Sequence, residues 1–175
     1  MAHGDAQRLI LMATTSILLI ASTANPNWDW MVGSDYSDWS PPNRSPKKFI
    51  VGGVAKWAAG VNYTDWVIKN RPFYENDTLV FKYPPPGGKR KTGYSVYLFD
   101  SWDYWSFASC DIDTARMVAN STQGVGKGFQ FKLTYPFGAD MPALFGCGEG
   151  NGSHCRDGGM MLAVWPWPRR RPLQH

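Results

Sequence analysis

Glycine and proline cut this chain into short pieces. Thirty-one of its 175 residues are one or the other, and they fall between brief apolar runs along its length. Neither residue suits a helix interior, so long helices are excluded and short strands joined by turns are expected. Phe49-Ile-Val51 stops at Gly52-Gly53, and Asp77 to Tyr83 stops at Pro84-Pro-Pro-Gly-Gly88. Tyr94 to Phe99, the alternating run Phe129 to Leu133, and Met160 to Val164 are the other strand candidates. One exception is a short helix expected within Asn62 to Asn70, with Trp66 and Val67 facing inward. Such a pattern points to an all-β sandwich or barrel, and a hydrophobic share of 43% is enough for a packed core.

Both ends of the chain read differently from its middle. Residues 1–24 have the form of a signal peptide: Arg8, then a mostly apolar run from Leu9 to Ala21, then the small residues Ser22-Thr23-Ala24. That run is too short for the roughly twenty residues a membrane-spanning helix needs. Residues 25–46 form a Trp- and Pro-rich extension without helical or strand period, expected to be a flexible leader; its Trp28, Trp30 and Trp39 offer stacking surfaces for sugars or for the domain itself. The folded domain is assigned to 47–166, and residues 167–175 form a basic, proline-rich tail. A secreted chain without a transmembrane segment is the expected product. Four acceptor sequons, at Asn62, Asn76, Asn120 and Asn151, agree with that route; Asn43 is discounted because proline follows its sequon.

Charge narrows the function classes. The net charge is +4, with Lys89-Arg-Lys91 and Arg169-Arg-Arg171 the dense basic groups. So small and scattered an excess argues against a nucleic-acid-binding machine, although such groups can contact acidic polysaccharides. Asp100, Asp103, Asp111 and Asp113 offer carboxylates but no histidine partner, so no enzyme is expected. Gly124-Val-Gly-Lys-Gly128 lacks the spacing of a phosphate loop and reads as a turn.

Three cysteines in an oxidising compartment leave one over after pairing, and their pairing cannot be deduced from position alone. Three histidines exclude a zinc-finger array. The segment from Phe145 to Met160 nevertheless places Cys147, His154, Cys155 and Met160 on one Gly-rich stretch ahead of the final strand. Thiolate, imidazole and thioether together suit copper, and one cysteine, two histidines and a weak axial methionine make a blue-copper electron-transfer site.

At these residues the chain resembles the phytocyanins, the plant branch of the cupredoxins, and especially their early nodulin-like and uclacyanin-like members. The resemblance runs from about Phe49 to Val164. It takes in Phe49-Ile-Val-Gly-Gly, Trp57, Asn62-Tyr-Thr-Asp-Trp66, Phe73, Asn76-Asp-Thr-Leu-Val-Phe81, Ser109-Cys-Asp111 and the Cys-His-Cys-Met stretch. The implied fold is a cupredoxin-like Greek-key β-sandwich with one short helix. The implied disulfide joins Cys110 to Cys155, and the implied copper ligands are Cys147, His154 and Met160.

The chain departs from the family at the first ligand histidine, where it has Tyr94, in Gly93-Tyr-Ser-Val96. A phenol must shed a proton of ordinary pKa near 10 before it can ligate, and its oxygen is harder than an imidazole nitrogen. Tyr94 is therefore expected to fill the space a lost metal leaves. The loop also differs: six residues separate Cys147 from His154 and five separate His154 from Met160, longer than the family's usual spacings. The resemblance thus implies a secreted, monomeric glycoprotein of the apoplast or outer plasma-membrane face with an incomplete type 1 copper site, binding a cell-wall polysaccharide or a cell-surface protein. The competing expectation is a copper-binding electron-transfer protein using Cys147, His154 and Met160.

Overall fold

A computed structural model describes residues 44–87, 93–134 and 141–169 of the chain. The segment 1–24 read as a signal peptide, most of the Trp-rich extension, the Lys89-Arg-Lys91 group and the chain beyond Arg169 lie outside the described residues.

Nine strands and three short α-helices follow one another among these residues. They are β1 (Lys48–Ile50), α1 (Tyr63–Asn70), β2 (Phe73–Tyr74), β3 (Thr78–Phe81), β4 (Val96–Phe99) and α2 (Tyr104–Ser109), then β5 (Arg116–Ala119), β6 (Phe129–Lys132), β7 (Ala143–Gly146), α3 (Ser153–Arg156), β8 (Met161–Val164) and β9 (Pro166–Trp167). One sheet has the order β1-β3-β6, another β5-β4-β7-β8, and β2 pairs with β9 in a two-stranded ribbon. β1 runs parallel to β3, and β3 runs antiparallel to β6.

The two larger sheets face each other across an aromatic core. Phe81 of β3 and Phe131 of β6 meet Phe145 of β7 at ring-centroid distances of 5.2 and 4.9 Å. Both lie within the range where offset or edge-on rings attract. Leu79, Val96, Leu162 and Val164 complete the buried layer.

Local chemistry explains the element ends. Asn62 caps α1 by accepting a hydrogen bond from the Asp65 N–H at 2.9 Å. Tyr63 and Trp66 of that helix are buried and Val67 packs against the core. At Gly52, with φ of +75°, any added Cβ would stand 2.1 Å from the Lys56 carbonyl oxygen, so the turn that ends β1 requires glycine.

One expected short helix became three. Asp103 caps α2, its carboxylate accepting from the Ser106 N–H at 3.0 Å and the Ser106 hydroxyl at 2.6 Å. An Asp followed three residues later by a bonding Ser is a cap signal that the strand-oriented reading passed over. Phe107 anchors this helix against Phe99, while Trp102, Tyr104 and Trp105 stay exposed. α3 lies inside the stretch read as a loop.

The strands β2, β5, β7 and β9 were not expected either. Each has at most four residues, and β5 is largely exposed, so no period of two develops. Strand β4 starts two residues later than expected, for a reason that belongs to the site.

Candidate metal centre

β7 ends at Gly146 and delivers Cys147 to one end of the sandwich. The chain then turns through Gly148 to Gly152 into α3, which carries His154. Met160 follows, just ahead of β8, and Tyr94 and Ser95 arrive from the start of β4. Antiparallel pairing of β4 with β7 and of β7 with β8 brings the three strand ends together.

Cys147 Sγ lies 3.7 Å from His154 Nδ1. A metal held at ordinary sulfur and imidazole distances with a tetrahedral angle separates its donors by roughly 3.6 Å, so the pair is spaced for one ion. Met160 is fully buried. Its backbone ties the group together: the Cys147 N–H donates to the Met160 carbonyl, and the Met160 N–H donates to the His154 carbonyl, both at 3.0 Å.

Ser95 holds the thiol from the other side. Its N–H donates to Cys147 Sγ at 3.4 Å, and its hydroxyl accepts from the Gly148 N–H at 3.2 Å. Its carbonyl accepts from the Trp57 indole N–H at 3.0 Å. With its backbone groups so engaged, Ser95 makes no ladder bonds, and β4 begins at Val96. Burial pushes the Cys147 thiol upward, although N–H donation from Ser95 and Glu149 opposes that shift. The buried group is therefore held as a thiol, and a metal would have to displace its proton.

Tyr94 takes the remaining side. Its ring meets the His154 imidazole edge to face, with centroids 5.5 Å apart, and meets Tyr83 at 6.5 Å. It packs against the main core cluster while remaining partly exposed. The structure thus places Cys147, His154, Met160 and Tyr94 close together at one end of the sandwich. Among the described residues no group of three or more His, Cys, Asp or Glu side chains is placed to hold a metal. The donor set suits a soft, low-coordinate ion and does not supply the second imidazole of a blue Cu(II) site.

Cys110 and Cys155 are bonded to each other, which leaves Cys147 as the free, buried thiol. The bridge joins the C-cap of α2 to the helix bearing His154.

Other expected sites are dispersed. Asn62, Asn120 and Asn151 are exposed and Asn76 is half-buried. Asn120 Oδ1 accepts from both the N–H and the hydroxyl of Thr122, the threonine of its own sequon. Asp103 is committed to capping, and its hydrogen bonds from Ser106 hold its carboxyl below the usual range. Gly124 to Gly128 is a turn region, with Gly124 pressed against the Tyr83 ring.

Two arrangements had no sequence signal. One is the Ser95–Trp57 support of Cys147. The other is Asp77, fully buried and gripped at 2.7 Å by both Arg44 and Arg169. Both guanidinium groups also lie over the Tyr74 ring.

No protein-family model matches the chain, and no curated protein matches it. Among solved structures it is similar to cucumber stellacyanin (Cu2+, pH 7.0), a phytocyanin of the cupredoxin class, at 19% identity and a TM-score of 0.54. That similarity covers 73% of this chain and all of the other. The fold is therefore a cupredoxin-like β-sandwich, as the resemblance implied, with several short helices rather than one. The Cys110–Cys155 bridge is the implied one.

Proposed function

We propose that this chain is a phytocyanin-type domain, of the early nodulin-like or uclacyanin-like kind, whose copper position is incomplete and which acts by binding rather than by electron transfer. Its setting in this reading is the apoplast or the outer face of the plant plasma membrane, as a secreted, monomeric glycoprotein without catalytic activity. The carrying observation is Tyr94, set edge-on against His154 where a second imidazole would complete the ligand set. A neutral phenol offers a poor donor there, and its ring fills space beside the imidazole. Glycans on Asn62, Asn120 and Asn151 would occupy exposed positions, while Asn76, the fourth sequon, is half-buried.

The test is to prepare the secreted chain with its disulfide intact, add Cu(II), and record stoichiometry with visible absorption. No intense thiolate-to-copper band is expected. An intense blue colour at one copper per chain would overturn the reading.

One observation favours the second reading, a copper-binding electron-transfer protein. Cys147 and His154 stand at 3.7 Å beside the buried Met160. Bound there, copper would supply one-electron redox chemistry. Cys147 would give a thiolate, His154 an imidazole and Met160 a thioether, with the Ser95 N–H bonded to the sulfur. That set suits Cu(I), so stoichiometric Cu(I) uptake without blue colour separates this reading from the first.

A further inference from the structure

The core side of the β1-β3-β6 sheet is filled by Phe49, Leu79, Phe81, Phe129 and Phe131. Side chains alternate along a strand, so the intervening residues form the opposite face. Strand register sets them in rows: Lys48 opposite Thr78 opposite Lys132, then Ile50 opposite Val80 opposite Gln130. Just past the strand ends, Lys82 and Lys127 extend the same face.

Six residues of this face, Lys48, Ile50, Val80, Lys82, Lys127 and Gln130, line an open groove of about 550 Å³. Gly128 makes the close approach of Lys127 possible. Its φ is +79°, and a Cβ there would stand 2.7 Å from the Phe81 carbonyl oxygen and 2.8 Å from Lys82 Cγ.

The groove carries three ammonium groups and no carboxylate among its lining residues. Among the described residues none of the three lysines forms an ion pair; Lys48 donates to the Gln130 amide oxygen at 2.9 Å. Like charges gathered on one face repel, so folding alone does not favour the cluster. Lysines on edge strands do guard against edge-to-edge pairing. That accounts for Lys48 on β1, but Lys82 follows the central strand β3, where no edge needs guarding.

We propose that this face is a binding groove for an acidic, uronate-rich polysaccharide. A linear polyanion matches three cations on one face, Lys48 on β1 and Lys82 and Lys127 just outside β3 and β6, with Gln130 within reach of its hydroxyl groups. The floor is aliphatic, Ile50 and Val80, and offers no aromatic plane for stacking nucleobases. It likewise presents no aromatic wedge suited to a membrane interface. None of the four sequon asparagines lines the groove. The choice of a polysaccharide rests on the extracellular setting proposed above; the groove itself does not depend on Tyr94 or copper.

The test uses the full secreted chain and polygalacturonate as the probe, with binding measured by calorimetry at about 50 and 200 mM salt. Binding should weaken steeply with salt, because lysine contacts release condensed counterions. Changing Lys48→Gln, Lys82→Gln and Lys127→Gln together should weaken binding roughly tenfold or more. A comparator with the same loss of charge elsewhere, Lys56→Gln, Arg116→Gln and Arg156→Gln, should stay close to the parent. Methyl-esterified polymer, which lacks the charge, should not bind.

Equal binding by the groove variant and the comparator would overturn the proposal. Tighter lysine-dependent binding of a single-stranded oligonucleotide, dextran sulfate or anionic phosphatidylserine vesicles would overturn the uronate assignment. Copper uptake by the groove variant should equal the parent's, so a failure here is distinguishable from a failure at the Tyr94 site.

Discussion

Tyr94 and His154 meet edge to face, with ring centroids 5.5 Å apart and planes inclined by 66°. The imidazole thereby has the Tyr94 ring on one side and Cys147 Sγ 3.7 Å from its Nδ1 on the other. Substituting Tyr94→His returns a neutral nitrogen donor to that side. Copper affinity should rise at least about tenfold, worth about 1.4 kcal/mol, and a thiolate-to-copper band should appear in the visible spectrum. If the variant binds copper no better than the parent, the lengthened loop from Cys147 to Met160 is the obstacle instead.

Asp77 predicts a second outcome at the other end of the strands. Its buried carboxylate takes hydrogen bonds from Arg44, Arg169 and the N–H groups of Lys47 and Tyr74. Arg169 also donates to the Glu75 and Arg44 carbonyl oxygens. Asp77→Ala leaves two guanidinium groups without their anion, and loss of one partner from a buried pair costs about 3–5 kcal/mol. The unfolding free energy from urea denaturation should fall by that amount; a change under about 1 kcal/mol would mean that the arginines find water instead.

The Cys110–Cys155 bridge spans a sequence separation of 45. Closing a loop of that length stabilises the folded state by about 4 kcal/mol in the chain-entropy model. The double change Cys110→Ala, Cys155→Ala should lower stability by that order and loosen α3, which carries His154. Hydrogen exchange at α3 amides should rise more than at β3 amides; uniform protection would contradict the local tether.

Alkaline pH should unfold the domain through its buried phenols. Desolvation raises the Tyr63 and Tyr83 hydroxyls above their ordinary value near 10, and the Cys147 site adds to the shift of both. Both are acids with a raised folded pKa, so the folded state holds their protons more tightly. Their stabilisation is complete below about pH 10 and is lost as pH rises towards the folded value. Tyr83→Phe should cost about 1 kcal/mol at neutral pH, since the hydroxyl donates to the Asn120 carbonyl at 2.7 Å. The same change should make the decline above pH 10 shallower, and identical slopes in parent and variant would exclude Tyr83 from it.

Much of the sandwich was readable from local pattern. The runs at β1, β3, β4, β6 and β8 alternate or are bounded by Gly and Pro, and each appears within two residues of its expected place. β5 and β7 were missed because four-residue strands carry too little period to separate from loop. The candidate site was legible as residue types through the family resemblance, down to the odd tyrosine. Its supports were not: Ser95 reaches Cys147 across 52 residues, and nothing beside either residue announces the other.

By itself the sequence determined where β1, β3, β4, β6 and β8 lie to within two residues and which residues of α1 face inward. Those properties follow from side-chain period and backbone permissiveness, both of which act over a few residues. Only the tertiary structure decided that two arginines far apart in the chain share Asp77, that Ser95 gives its N–H to a thiol, and that Lys48, Lys82 and Lys127 line one groove. Such relationships depend on strand register, and register is set by how the whole core packs.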